Sequence, residues 1–291
     1  MSTPGWRYAV VTPARDEAAH IGRTMDAMAS QTLPPVAWIV VDDGSSDGTG
    51  ALVEQRAKSI PWLQVLVRRD RGRRVAGGGV VEAFDAGCER LPADWDFLVK
   101  LDADLSFAPD YFARCLRHFE QDPRLGIGGG LVMREESGRL VIDSAGDPPF
   151  HVRGASKIYR RACWERIAPL LRAAGWDTVD EVKANLHGWT TRTFDDLPVV
   201  QLKPTGSVDG AWRNALKNGR ANYIAGYHPL FMAAKCLRRL AQPPFGSQAL
   251  ALAAGYCSGY ARQLPRVEAD VIRYLRRQQL RRLLMRPSIY G

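Results

Sequence analysis

The sequence predicts an α/β fold, a mostly parallel sheet flanked by helices with a C-terminal helical extension, and three observations carry that reading. Short apolar runs recur at residues 8–11, 36–41, 63–67 and 97–101. Helix-like stretches around 17–30, 48–59 and 78–90 separate them, the alternation expected of parallel strands joined by right-handed crossovers. From about residue 227 the pattern changes to helices punctuated by Gly and Pro. Between these parts, residues 109–121 read as a helix, 127–142 as a Gly-rich strand pair, 153–167 as a basic segment, and 176–189 as a further helix candidate. A helix ending near Gly226 closes the first unit. The expected organisation is therefore a unit over 1–226, divided into halves at 1–105 and 106–226, and a basic amphipathic extension over 227–291.

Composition sets the outer bounds. The chain has 291 residues, 46% hydrophobic and 24% charged, which is ordinary globular usage. A formal net charge of +9 implies attraction to something anionic: nucleic acid, an acidic membrane surface or a phosphorylated substrate. The five cysteines are scattered and never form a Cys-x-x-Cys pair, so neither a disulfide framework nor a zinc knuckle is expected, and a reducing cytoplasm fits. The N-terminus enters a strand-like run without the features of a signal peptide, and no uninterrupted apolar stretch is long enough to span a bilayer.

In a parallel sheet, ligands bind at the carboxyl ends of the strands. Three polar segments should share that rim: Thr12-Pro13-Ala14-Arg15, the run Asp42 to Gly48 in VVDDGSSDGT, and Asp102-Ala103-Asp104. Strand alternation would point Asp102 and Asp104 the same way. Two like charges side by side call for a cation or a set of donors between them, and a hard divalent ion is the first candidate. Asp43 is available to accept hydrogen bonds from a base or a ribose, with Ser46 or Asp47 placed to cap the next helix. Each motif alone also reads as an ordinary polar turn; their occurrence on one rim carries the functional reading.

In their order and spacing, VVTPARDEAAHIGRTMDAMASQT, VVDDGSSDGT and KLDADLSFAPDYF resemble family 2 of the inverting glycosyltransferases, which have the GT-A fold of the nucleotide-diphospho-sugar transferase superfamily. The resemblance covers roughly residues 6–226 and is strongest over the first 115. It implies transfer of a sugar from a nucleoside-diphosphate sugar to an acceptor hydroxyl of a cell-envelope glycan or lipid-linked sugar, with Mn2+ or Mg2+ as cofactor. By position it places the nucleotide on Thr12, Ala14, Asp43 and Asp102, the metal on Asp104, and the diphosphate near the arginines at 68, 69, 71, 73 and 74, of which Arg73 is the chosen contact. The family's Glu-Asp pair, whose second acid is the base, matches Asp180-Glu181 with the order reversed. Glu181 is then the expected base and Asp180 the reserve. Gln201 stands where many relatives carry a metal- or diphosphate-contacting His. Gly154, Ser156, Lys157 and Arg160 are expected on the sugar side, while His228 reads more readily as a capped or surface histidine.

Residues 267–286 place Val267, Val271, Leu275, Leu280, Leu283 and Leu284 at helical spacing, with Arg on the other face. This suits either a peripheral anchor at the inner face of the cell membrane or a helix docked on the preceding unit. Nucleic acid is not an expected partner, because aromatic and basic residues do not interleave and acidic motifs occupy the ligand rim. P-loop and dinucleotide-binding glycine patterns are lacking. A catalytically impaired nucleotide-sugar binder is the alternative to an enzyme.

Overall fold

The computed structural model describes residues 5–70, 77–143, 146–203, 210–240 and 246–291. Its strands are β1 (Tyr8–Ala14), β2 (Ala37–Asp42), β3 (Leu63–Val67), β4 (Phe97–Leu101), β5 (Leu105–Phe107), β6 (Leu125–Glu136), β7 (Arg139–Ile142), β8 (Ser156–Arg160) and β9 (Thr190–Gln201). Its helices are α1 (Ile21–Ala29), α2 (Thr49–Ala57), α3 (Gly78–Cys88), α4 (Tyr111–Gln121), α5 (Arg161–Ile167), α6 (Trp176–Leu186), α7 (Gly210–Ile224), α8 (Pro229–Leu240), α9 (Ser247–Ala261) and α10 (Ala269–Leu283).

The strands form one sheet in the order β3-β2-β1-β4-β8-β6-β9-β5, with β7 paired to β6. Strands β3, β2, β1 and β4 run parallel, and β8 is antiparallel to both β4 and β6. Alternation divides the core into two layers. Val10, Trp38, Val40 and Val99 face one layer with α1, α2 and α4, while Val11, Ile39, Val41 and Leu98 face the other with α3, α5 and α6. Burial on both faces explains why the first strands read as continuous apolar runs rather than alternating ones.

Two elements depart from the sequence expectation. The basic segment at 153–167 contains β8, hidden in the sequence because two of its five residues are Lys157 and Arg160. The helical layer also begins before residue 226, since α7 packs against α9. A Cβ at Gly219 would lie 2.1 Å from the Leu252 carbonyl oxygen, and one at Gly255 would lie 2.1 Å from that of Leu216. Glycine at both positions lets the two backbones touch.

Helix α10 is docked. Val271 and Leu275 are buried in a cluster that includes Val179 and Val182 of α6, Tyr227 and Met232. The apolar stripe expected as a membrane face is thus interior along the first half of the helix. Leu275→Ala is expected to lower stability by about 2–5 kcal/mol, the range for emptying a leucine site in a packed core. Urea unfolding checks this, and a change below about 0.5 kcal/mol, the level of surface substitutions, would contradict the docking.

Candidate functional site

The ends of β1 and β2 lie in register, with Ala14 opposite Asp42, and β4 runs parallel beside β1 with Lys100 opposite Val11. The three polar segments therefore emerge on one edge. The Asp42 carboxylate accepts the Ser45 N–H at 2.9 Å and closes the turn. Asp47 accepts the Thr49 N–H at 3.0 Å and the Ala18 N–H at 2.9 Å, tying the start of α2 to the loop after β1. Asp43 stands on the rim with its carboxylate 2.8 Å from the Arg68 guanidinium. Its N–H donates to the Ala14 carbonyl at 2.9 Å, so these two expected contacts are neighbours. Arg15 joins them, donating to the Asp43 carbonyl at 3.2 Å and to the Asp70 carboxylate at 2.8 Å. Thr12 is a correction: it is fully buried, and its hydroxyl accepts the Trp38 indole N–H at 2.8 Å, so that side chain belongs to the core. Arg73 lies outside the described residues, as do Arg71 and Arg74.

Asp102 and Asp104 leave β4 through a turn rather than continuing its alternation. Asp102, partly exposed, pairs with Lys100, whose ammonium also donates to the Gly154 carbonyl at 2.6 Å. Asp104 is buried, and the Gln201 amide donates to its carboxylate at 3.3 Å. Burial first, then the charge of Asp102, push the Asp104 carboxyl up to about 7, with Glu17 adding to the rise and Gln201 opposing it. Glu17, held by Lys203 at 2.9 Å, leaves its second carboxylate oxygen buried without a partner. An added cation is what this arrangement lacks. Among the described residues no three His, Cys, Asp or Glu side chains converge as metal ligands. The donor set therefore suits a hard divalent ion that takes one or two carboxylates and fills its remaining positions with diphosphate and water oxygens.

Asp180 and Glu181 are somewhere else. Both are buried against Lys157, itself fully enclosed. The Lys157 ammonium lies 2.7 Å from Asp180 and 2.9 Å from Glu181, and also donates to the Asp177 carbonyl. Asp180 further accepts the Tyr159 hydroxyl at 2.6 Å and the Glu181 N–H at 2.7 Å. Glu181 accepts the Val152 N–H at 2.6 Å and pairs with His151 at 2.9 Å. Burial alone would lower the Lys157 pKa, but Asp180 and Glu181 outweigh it and raise it. Burial likewise disfavours charged His151, yet Glu181 holds it up to about 9. Two carboxylates thus face two cations, and neither acid has an oxygen left over for an acceptor. Lys157 and Arg160, expected near the sugar, are also committed: Arg160 donates to the carbonyls of Leu125 at 2.9 Å and Phe119 at 2.6 Å. His228 has the capped role, its backbone N–H donating to Gln279 at 2.7 Å.

The acid that does reach the rim is Asp177, in the first turn of α6 and partly exposed. Gly154 links it to the metal-side acids. A Cβ at Gly154 would lie 2.9 Å from the Trp176 ring and 3.4 Å from the Asp177 Cβ, while the Gly154 carbonyl holds Lys100, the partner of Asp102. Asp177 stands between Trp176 and Thr178 and so carries no acidic-pair signal in the sequence, while Glu17 adjoins Asp16 just after the first rim segment.

Comparison with known proteins now decides the family. The Glycosyl transferase family 2 profile matches residues 9–160, about half of the chain. The chain belongs to that family. Among curated relatives, it is 33% identical over 182 residues to the polyprenol monophosphomannose synthase of Mycolicibacterium smegmatis, covering 56% of this chain and 65% of that protein. It is 28% identical over 182 residues to the N-acetylglucosaminyl-diphospho-decaprenol L-rhamnosyltransferase of Mycobacterium tuberculosis, covering 57% of each. The chain spans less than two thirds of the length of these relatives. The mannosyltransferase PcManGT from Pyrobaculum calidifontis, solved with GDP-Man and Mn2+, superposes with a TM-score of 0.58 at 21% identity over 90% of this chain and 77% of that one. GalNAc-T7, solved with UDP, GalNAc and Mn2+, gives 0.63 at 11% identity over 99% of this chain and 56% of that one. The GT-A fold expected for family 2 is the fold observed.

Two predictions follow from the buried charges. Lys157→Met should destabilise the protein by about 3–5 kcal/mol, because it strands two carboxylates without a counter-charge. A melting temperature equal to that of the parent would show the pair to be dispensable. His151 has a folded pKa of about 9 against an ordinary 6.5, so its stabilisation is complete below 6.5 and is lost as pH rises through 9. His151→Gln should therefore lose roughly 2–3 kcal/mol relative to the parent at pH 6, with the gap closing by pH 9.5; a gap independent of pH in urea unfolding would contradict the charged pair.

Proposed function

We propose that this chain transfers a sugar from a nucleoside-diphosphate sugar to an acceptor hydroxyl with inversion at the anomeric carbon, and that the acceptor is a lipid-linked precursor of a cell-envelope glycan. The observation that carries the reading is the grouping of Asp43, Asp102, Asp104 and Asp177 along one rim of a GT-A sheet, on the loop after β2, the turn after β4 and the start of α6. Names of the relatives support the acceptor class, since polyprenol and decaprenol appear in them.

In this reading Asp43 and the backbone at Ala14 receive the base, and Asp102 the ribose. Arg68 and Arg15 supply positive charge beside them. Asp104, with Asp102 beside it, would hold Mn2+ or Mg2+, which when bound stabilises negative charge on the departing diphosphate. Asp177 takes the place expected for Glu181 or Asp180 as general base. It accepts the proton of the acceptor hydroxyl as that oxygen bonds to the anomeric carbon and the bond from that carbon to the diphosphate breaks. Gly154 leaves room for the sugar next to Asp177, where any side chain would press on Trp176.

The test combines binding with turnover. UDP, GDP, dTDP and CDP are added with and without Mn2+, and one of them should raise the melting temperature only with the metal, because a ligand selective for the native state stabilises it. Asp104→Asn should abolish that metal-dependent rise. Asp177→Asn should keep the rise yet lower kcat/KM with the matching donor and a polyprenyl-linked acceptor by about 10²–10⁴-fold, the usual contribution of a positioned base. Full turnover in folded Asp177→Asn would falsify the base assignment, and no rise with any nucleotide would remove the donor site.

A further inference from the structure

Outside the donor rim a groove of about 730 Å³ lies between the start of α8 and α10. Arg273, Arg276, Arg277, Arg281 and Arg286 line it, together with Leu280 and Leu284. Among the described residues no carboxylate lines it. Several arginines outside the groove, among them Arg7, Arg56, Arg114, Arg134 and Arg161, each face a carboxylate. Among the described residues none of the five groove arginines has such a partner; Arg276 donates only to the Gly226 carbonyl, at 2.9 Å. Like charges held together without counter-ions repel one another, so the groove gains from any anion placed in it.

A second observation separates the kinds of anion. Apolar side chains are exposed on the elements that flank the groove. Leu284, in its wall, is 64% exposed and Met285 beside it 94%. Leu230 is 62% exposed two residues after His228, which also lines the groove, and Leu237, 67% exposed, continues the same stripe seven residues along α8. A partner offering phosphate alone would leave these leucines in water. A bilayer surface offers phosphate at the headgroups and an apolar layer beneath them.

We infer that the α8–α10 groove and its leucine rim form a docking surface for an anionic lipid bilayer, with the arginines taking lipid phosphates and Leu230, Leu237, Leu284 and Met285 entering the interfacial layer. This face differs from the helix stripe legible in the sequence, because Val271 and Leu275 are interior. The inference does not rest on the sugar-transfer reading: it uses residues beyond the matched family segment and none of the donor rim.

Flotation of the full-length chain with vesicles tests it, without donor or acceptor present. Phosphatidylglycerol–phosphatidylcholine vesicles at about 0.1 M salt should carry the protein up the gradient, while pure phosphatidylcholine vesicles should not. Each arginine near an anionic surface contributes about fivefold in partitioning, so Arg277→Ala with Arg281→Ala should lower it by tenfold or more. Leu230→Ser with Leu284→Ser should lower it about fivefold or more at unchanged charge. Equal flotation with both vesicle types, no flotation with the anionic ones, or serine variants that float like the parent would each overturn the inference. Retention on a single-stranded nucleic-acid column that survives the serine changes, together with absent flotation, would assign the groove to a polyanion in solution instead. Should the variants melt more than about 5 °C below the parent, the comparison of the two vesicle types with the parent chain decides alone.

Discussion

The pairing of β4 with β8 sets Lys100 directly opposite Lys157 in the middle of a sheet, and much of the molecule answers to that one constraint. Like charges opposite each other destabilise a strand pair, and each ammonium also loses its hydration on burial. The structure separates them. Lys100 turns toward the rim, onto Asp102 and the Gly154 carbonyl, while Lys157 turns into α6, onto Asp180, Glu181 and the Asp177 carbonyl. The Trp176 ring sits within 5.5 Å of both ammonium groups, its face offering partial negative charge to each. One end of α6 is thereby fixed to the sheet by charge.

That arrangement gives the four acids near α6 and β4 different work. Asp180 and Glu181 are enclosed and held by Lys157, Tyr159 and His151. Through His151 and the Val152 N–H, Glu181 also holds the segment that leads into Gly154. Asp102 is held by a cation at the surface and Asp177 stands at a helix start with part of its surface open. A buried ion network of this kind adds little net stability over an apolar core, since desolvation offsets much of the attraction. Its effect here is geometric: it fixes the distance between the acids of β4 and the first turn of α6.

What was legible in the sequence follows from this. Parallel strands buried on both faces are continuous apolar runs, and the rim motifs are local, so β1 to β4 and the positions of Asp43, Asp102 and Asp104 could be read from neighbouring letters. Strand β8 could not, because Lys157 is compensated by residues some twenty positions away in α6, and a strand with a buried charge looks like a surface loop until its partner is known. The same nonlocality bears on the choice of base. Asp180-Glu181 has the look of a catalytic pair, and only the position of Lys157 shows that both acids are consumed. The burial of the Thr12 side chain is not legible for a related reason: nothing in the letters around it says that Trp38, on the next strand, needs a hydrogen-bond acceptor inside the core.

Helix α6 also couples the rim to the C-terminal helices. Its charged face meets β8, while Val179 and Val182 pack with Val271 and Leu275 of α10, and Lys183 reaches Glu268 at 2.8 Å just before α10 begins. The helix that presents Asp177 is therefore the helix on which α10 is seated. Because the groove arginines lie on and just after α10, their placement relative to the acids of the rim passes through a single packed element rather than through a linker. Loosening α10 at Leu275 should then be felt at both ends, as lost support for the first turn of α6 and as lost registration of the basic groove. In the proposed reading an acceptor delivered from a surface would need that registration, since a base acts only on a hydroxyl held within hydrogen-bonding reach.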